Sequence, residues 1–301
     1  MTFLPRLIIH GGAWDWEDAL DAPKTESLHK ALSIGWYALQ AFRRALQAVE
    51  KAVNWLEDDP LFDAGTGSHL NVNGVVEMDA LLIDAESNQF GAVGAVTRVR
   101  HPITLARKIM TNTKQHFIVG AGADEMASKL GMRLIPNIAL VSESEQRYFL
   151  EGRTDGTSDT VGAIAIDQDG HLAVACSTGG TPLKPAGRIG DTPIFGAGGY
   201  ADKAYGGAAA TGRGEHAMRL MLSRYVVDAI QAGKTANEAA EDAIQHAEAR
   251  IPHSMLGTIV VDAQGNIGAA HSTPKLACGW IDTDGNPQVT MRGGVVQKAT
   301  E

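Results

Sequence analysis

Between Thr160 and Ile166 the chain is apolar on both sides, Val161, Ala163 and Ala165 alternating with Ile164 and Ile166. Such a run, entered from a polar stretch and rich in β-branched residues, reads as a strand with Thr160 at its first position. A strand without a polar face is one covered by other layers on both sides. His171–Thr178 repeats the pattern and pairs back through an Asp169-Gly170 turn, and Thr258–Val261 and Ile267–Ser272 flank a loop holding Gly265. In the first half, Arg6–His10 is a short apolar strand that stops at Gly11-Gly12, and Ala80–Ile83 and Ala92–Val96 are further strands. Asn73-Gly74 is a two-residue hairpin signal between Leu70–Val72 and Val75–Met78.

Elsewhere the apolar period changes to three and four. From about Lys24 to Leu56 the chain reads as helix, with Leu46, Val49, Val53 and Leu56 on one buried face. Glu57-Asp58-Asp59-Pro60 closes it, because a residue before proline avoids the helical region. Helices are expected near Pro102–Met110, Ala123–Leu130 (ended by Gly131), Glu215–Gln231 and Ala236–Arg250. Ser142-x-x-Glu145 and Thr235-x-x-Glu238 are capping boxes. Gly152–Ser158 resembles a linker, although no domain boundary needs one there. The order of these elements predicts an α+β fold: one domain, residues 1–301, built as a four-layer αββα sandwich of two largely antiparallel sheets between helical layers.

Composition narrows the function. A chain of 301 residues, 44% of them hydrophobic, buries roughly three quarters of its unfolded surface. Net charge is -9 and no Lys/Arg cluster exceeds a few residues, which excludes nucleic acid and anionic membranes as partners. Cys176 and Cys278 lie in apolar, strand-like surroundings and are expected as buried hydrophobes, with no disulfide framework or zinc spacing. Met1–His10 carries only a short apolar patch, neither signal peptide nor membrane span, so the expected setting is soluble, reducing and cytoplasmic.

The candidate chemistry lies in four polar clusters that interrupt glycine-rich backbone. They are Thr160; Ser177-Thr178-Gly179-Gly180; Gly187-Arg188-Ile189-Gly190-Asp191; and Thr211-Gly212-Arg213-Gly214-Glu215. Small residues let backbone N–H groups approach a ligand, arginine offers a planar fork to a carboxylate, and an aspartate can hold an ammonium group. Together they describe a pocket for a zwitterion such as an amino acid. A threonine at a strand start is ordinary in itself, and so is a lone strand-end histidine such as His10. Gly196-Ala197-Gly198-Gly199-Tyr200-Ala201 imitates a dinucleotide fingerprint, but a Gly/Ala-rich loop follows it and no acidic residue ends a strand at the required distance. The chain has no P-loop, HExxH, metal-ligand histidine spacing or serine-hydrolase elbow.

The order of motifs resembles the plant-type L-asparaginase/isoaspartyl peptidase family of N-terminal nucleophile hydrolases. The likeness is carried by Asp159-Thr160-Val161-Gly162-Ala163, the clusters at 177–180 and 187–193, Gly196–Ala201 and 211–215. In the first half it is carried by His10-Gly11-Gly12-Ala13, Leu56–Phe62 and Glu77-Met78-Asp79-Ala80, and it spans about Ile8 to Gly279. The resemblance implies cleavage between Asp159 and Thr160 into an α-subunit, 1–159, and a β-subunit, 160–301, paired as an (αβ)2 assembly. Thr160 would be the nucleophile, Thr178 its hydrogen-bond partner, and Thr211 with Gly212 the oxyanion hole. Arg188 would take the substrate α-carboxylate, and Asp191 with Gly214 the α-amino group. Substrates would be β-aspartyl dipeptides and, less well, L-asparagine. The chemistry would need no cofactor, while backbone carbonyls of Leu56, Glu57, Asp59, Phe62, Ala64 and Thr66 match a loop holding a structural sodium ion in relatives. The alternatives are a glycosylasparaginase-like amidase, a branch generally secreted or lysosomal, and a precursor that binds amino acids without maturing. Asp63 stands where the family usually has Asn, Trp14 and Trp16 replace smaller residues, the linker is shorter, and Arg213 adds a positive charge that would favour peptides or acidic leaving groups.

Overall fold

The structure, a computed structural model, describes residues 4–154, 160–293 and 296–297; Asp159, on the amino side of the expected cut, lies outside the described residues. The first half holds β1 (Arg6–Trp14), α1 (Asp21–Phe42), α2 (Ala45–Asp58), β2 (Met78–Asp84) and β3 (Gln89–Val96). It continues with α3 (Pro102–Asn112), β4 (Phe117–Val119), α4 (Gly120–Lys129) and α5 (Glu143–Leu150). The second half opens with β5 (Val161–Ile166), β6 (Leu172–Thr178), β7 (Gly199–Asp202) and β8 (Gly206–Gly212). Three helices follow, α6 (Gly214–Leu220), α7 (Leu222–Gln231) and α8 (Ala236–Arg250). The chain closes with β9 (Leu256–Asp262), β10 (Ile267–His271), β11 (Lys275–Ile281), β12 (Pro287–Thr290) and β13 (Val296–Gln297).

These strands form an eight-stranded sheet, β12-β11-β1-β5-β6-β2-β3-β4, and a five-stranded sheet, β13-β10-β9-β8-β7. All pairings are antiparallel except β3 with β4. Three apolar cores separate four layers, as expected. On one side of β5, Val161, Ala163 and Ala165 pack under Val49, Val53 and Leu56 of α2. On the other side, Ile164 and Ile166 meet Ala209 of β8 and Ile259 and Val261 of β9. The far face of the smaller sheet, including Ala208 and Val260, is covered by Val226 and Val227 of α7 and by the alanines of α8. Cys176 and Cys278 are free and lie between the sheets, where burial pushes both thiols up, so neither is a nucleophile.

The structure corrects several local expectations. β1 runs through Gly11-Gly12 to Trp14, because a bulge between His10 and Ala13, with Gly12 at φ 103°, absorbs the irregularity without ending the pairing to β11. The single helix expected over Lys24–Leu56 is two. Arg43 adopts a left-handed conformation (φ 52°), Arg44 is extended, and the Ala45 N–H donates to Asp167 at 3.2 Å to start α2. A second left-handed residue, Met221 (φ 48°), divides the helix expected over Glu215–Gln231 into α6 and α7. The Asn73-Gly74 turn closes only an isolated bridge, Leu70 to Val76, since the Asn71 carboxamide accepts the N–H groups of Asn73 and Val75 and organises the loop itself. Thr235 and Glu238 form a complete capping box, whereas only half of the Ser142 box exists: the Glu145 N–H reaches Ser142 Oγ, but the Glu145 carboxylate goes to His69 Nδ1 at 2.8 Å.

Gly91 marks how closely α3 lies on β3, because a Cβ there would overlap the Ala106 carbonyl oxygen of the helix backbone. Gly91→Ala is expected to cost about 1–3 kcal/mol through overpacking. Thermal unfolding would then drop by several degrees, and an unchanged midpoint would show that α3 is not seated there.

Candidate active site

Strands buried on both faces leave chemistry to their ends, and three ends converge here. Thr160 precedes β5, Thr178 closes β6, and Thr211 and Gly212 close β8 of the second sheet. All three threonines are buried. Thr160 Oγ donates to Thr178 Oγ at 3.1 Å, and Thr178 Oγ donates in turn to Asp63 Oδ2 at 3.3 Å. The Gly180 N–H fills a further lone pair of Thr178 at 3.0 Å, so this hydroxyl has a fixed orientation. Asp63 sits on the loop between α2 and β2, held by the His69 N–H at 2.9 Å. Gly179 must be glycine, since a Cβ there would overlap the Asp63 carboxylate and Ser68.

Arg188 and Asp191 reach the same point from the loop after β6. Asp79 of β2 anchors that loop, taking the Ala95 N–H at 2.8 Å and the Gly190 N–H at 3.3 Å. A small cavity of about 10 Å³ is lined by Thr160, Thr178, Arg188, Asp191, Gly212 and Gly214, among others. That is room for about one water, so a bound amino acid requires local rearrangement. Arg188 is only 14% exposed and gives its Nε and Nη2 to Glu215 Oε1 at 2.9 and 2.8 Å. Burial works against the Glu215 carboxylate, but the Arg188 bond outweighs it and holds the acid below its usual range.

Buried charge is concentrated around this cavity. Burial pushes Asp191 up to about 7 against the pull of Arg188, and its Oδ2 has no partner among the described residues. Burial likewise pushes Asp63 up to about 7, against the His69 charge and N–H. Thr192 Oγ and Thr211 Oγ are also buried without a partner among the described residues. Orphaned polar atoms are rare in native proteins. Here they edge the cavity or adjoin its lining residues, which is the chemistry of a site built for a polar guest.

The expected site residues among the described ones fall into this cluster, into the loop beside it or, for Leu56 and Glu57, into the last turn of α2. The carbonyls of Glu57, Asp59, Phe62 and Ala64 each accept one backbone N–H within the loop Glu57–Gly67. Carbonyl oxygens carry two lone pairs, and side chains at Gly65 or Gly67 would collide with the Glu57, Phe62 and Pro60 carbonyls. Neutral carbonyl oxygens are the ligand type that a hard cation takes. Lys24, buried in the same region, donates to the Leu61 carbonyl at 3.1 Å. Arg213 lies between the lining residues Gly212 and Gly214, with its guanidinium 5.9 Å from the centre of the Trp14 ring.

Three buried side chains take places beside the site that the sequence reading did not give them. His10 is fully buried where a Gly162 side chain would otherwise lie, and burial pushes it down to about 3 against a smaller pull from the Thr160 backbone. A neutral imidazole therefore abuts the candidate nucleophile. Lys184, buried beside Gly180, donates to the Glu77 carbonyl at 2.8 Å; burial lowers its pKa, opposed by Asp79 and Asp63. Glu57 takes the Ser177 hydroxyl at 2.7 Å beneath Thr178, and burial pushes it up to about 8. His10 stood in the His10-Gly11-Gly12-Ala13 motif and Lys184 amid Gly and Pro in a loop, whereas the Glu57 carboxylate's place depends on long-range burial.

A profile of the asparaginase family matches residues 3–157 and 150–291, nearly the whole chain. Among curated proteins, the chain is 38% identical to the isoaspartyl peptidase/L-asparaginase of Danio rerio over 283 residues, 91% of each chain. It is 38% identical to the isoaspartyl peptidase/L-asparaginase of Homo sapiens over 275 residues, covering 87% of this chain and 88% of that one. The plant-type L-asparaginase of Pyrococcus horikoshii is 36% identical over 297 residues, 91% of this chain and 95% of the other. No helix among the described residues is long and apolar enough to cross a membrane.

Asp191 gives the site a pH signature. Its folded pKa, about 7, lies above the free aspartate value of about 3.9. Below about pH 4 the carboxyl is protonated whether folded or not; as pH rises through 7, the folded chain must carry a buried charge that the unfolded chain carries in water. Its contribution to stability is therefore lost across that window. Asp191→Asn is expected to melt above the parent at pH 8 and level with it near pH 4. An equal gap at both values would assign the effect to packing instead.

Proposed function

The chain belongs to the asparaginase family, and from that premise we propose that it is a threonine-type amidohydrolase cleaving β-aspartyl dipeptides and, less well, L-asparagine. The observation that carries this reading is the Thr160–Thr178–Asp63 hydrogen-bond chain, whose Thr160 end shares a cavity with Arg188 and with Asp191, one of whose carboxylate oxygens is unpaired among the described residues. One side offers a nucleophile and the other a receptor for the two charges of an α-amino acid.

The chain would first cut itself between Asp159 and Thr160, giving subunits 1–159 and 160–301 that assemble as (αβ)2. Cleavage supplies the missing base. A free α-amine titrates at about 7.7–8.0, close to the value wanted of a general base at neutral pH. In turnover, Arg188 would bind the substrate α-carboxylate and Asp191, with the Gly214 backbone, its ammonium. Thr160 Oγ would attack the β-carbonyl carbon, passing its proton to the Thr160 amine as the new C–O bond forms. Thr211 Oγ and the Gly212 N–H would receive the oxyanion, donors typically worth about 2.7–4 kcal/mol each. The C–N bond then breaks, the leaving amine takes the proton, and an aspartyl ester remains. Water attacks that ester, giving its proton to the amine and releasing aspartate.

Thr178 would orient the nucleophile throughout. Glu215 would hold one edge of the Arg188 fork. A structural sodium ion would be held by the carbonyls of Leu56, Glu57, Asp59, Phe62, Ala64 and Thr66, its part being to stiffen the loop that carries Asp63.

Intact mass spectrometry of protein incubated for days tests the reading. Two fragments splitting between Asp159 and Thr160 are expected, with hydrolysis of β-aspartyl-leucine, and Thr160→Ala should show one uncut mass and no turnover. A parent protein that stays whole and leaves the peptide intact would overturn it.

A further inference from the structure

The turn that carries the chain from α8 into β9 is under strain. His253 and Met255 both have left-handed backbone, φ 58° and 52°. Among the described residues this is the one place where two non-glycine residues within three positions do so. A side chain in that conformation is disfavoured, and such backbone persists only where its surroundings over-determine it. The surroundings here are specific. Glu248, in the last turn of α8, takes the His253 N–H at 3.1 Å and the Ser254 N–H at 2.8 Å, and Ser254 Oγ donates to the same carboxylate. Burial works against that charge, but these hydrogen bonds outweigh it and hold Glu248 below its usual range. From the other side, His216 Nδ1 of α6 donates to the carbonyl of the buried Ser254 at 2.8 Å.

What the turn presses against is the end of β8. The Met255 carbonyl accepts the Arg213 N–H at 2.9 Å. The same oxygen would overlap a Cβ at position 212, which, with φ at 108°, makes this a place for glycine. Thr211 and Gly212 pair with Gly257 and Leu256, the first residues beyond the turn. The Arg213 carbonyl accepts in turn from the N–H groups of His216 and Ala217 and starts α6. The strand end carrying Thr211 Oγ and the Gly212 N–H is therefore seated on Met255 and its successors.

We infer that Glu248 is a positioning residue for the oxyanion hole: by holding the turn 252–255 in its left-handed form, it keeps the Met255 carbonyl against Gly212 and Arg213 and so aims Thr211 and Gly212. The inference rests on the amidohydrolase reading and adds a residue that reading does not contain. Donors to an oxyanion work only when aimed beforehand at the place where charge develops. A misplacement of about 1 Å can cost about 100-fold in rate. The receptor for the amino-acid end has its own supports, Glu215 for Arg188 and Asp79 for the loop that carries Arg188 and Asp191. Loss of the Glu248 carboxylate therefore falls on kcat and spares KM.

The test measures kcat and KM for β-aspartyl-leucine in the parent, in Glu248→Gln, and in Glu248→Gln combined with His253→Gly and Met255→Gly, each normalised to its cleaved fraction by intact mass. Glycine takes left-handed backbone freely, so the added pair lets the turn keep its shape without the carboxylate. Glu248→Gln is expected to lose about tenfold or more in kcat while KM stays within about twofold. The glycine pair should recover most of the loss, in turnover and in self-cutting alike, which a variant merely damaged in its packing would not do. A parent-like kcat in Glu248→Gln, a fall carried by KM, or a loss of turnover or cutting that the glycines leave in place would overturn the role of Glu248, while turnover by the parent left the amidohydrolase reading standing. A parent that does not hydrolyse the peptide would remove that reading, and the role of Glu248 with it.

Discussion

The burial of β5 on both faces is the constraint from which the rest follows. With α2 against one side and the second sheet against the other, no side chain within that strand meets water. Reactive groups can appear only where the strand begins. The same holds for β6 and β8, whose last residues are Thr178 and Gly212. Alanine and glycine through β8 let the two sheets lie close, so ends from different sheets come within hydrogen-bonding range of one cavity. The site is a corner of the packing rather than a groove cut into it.

Collecting polar groups at such a corner has an electrostatic cost, and the structure distributes it unevenly. Lys184 and Asp79 are buried, but each meets backbone partners. Asp191 keeps one oxygen unsatisfied among the described residues, and His10 has only the Thr160 backbone to offset its burial. Glu57 Oε2 behind Thr178 is likewise unpaired among the described residues, so only the groups that line the cavity are ones a guest could satisfy.

How far this was legible in the sequence depended on range. Strand pairs such as β5 with β6 and β9 with β10 announce themselves through alternation and Gly turns, and the two-faced apolar pattern of β5 already implied layers on both sides. The four clusters around Thr160, Thr178, Arg188 and Thr211 were visible because they interrupt small-residue backbone. The helix breaks at Arg43 and Met221 were not, since a left-handed non-glycine residue leaves no compositional mark and the apolar period continues across it. Nor were pairings that join distant segments, such as Ser177 with Glu57, 120 positions apart, or Glu145 leaving its cap for His69. Local preference was right about where α5 begins and silent about the tertiary partner that claimed its glutamate.

The His10 ring stands where the first carbon of a side chain at 162 would be, on neighbouring strands in direct register. Positions 10 and 162 are thus one unit of variation. A lineage can enlarge residue 162 only after residue 10 has shrunk, because a Cβ at 162 collides with the His10 ring, while shrinking residue 10 alone leaves a buried void. Drift at the two positions should be correlated rather than independent, a pairing that distance along the chain conceals.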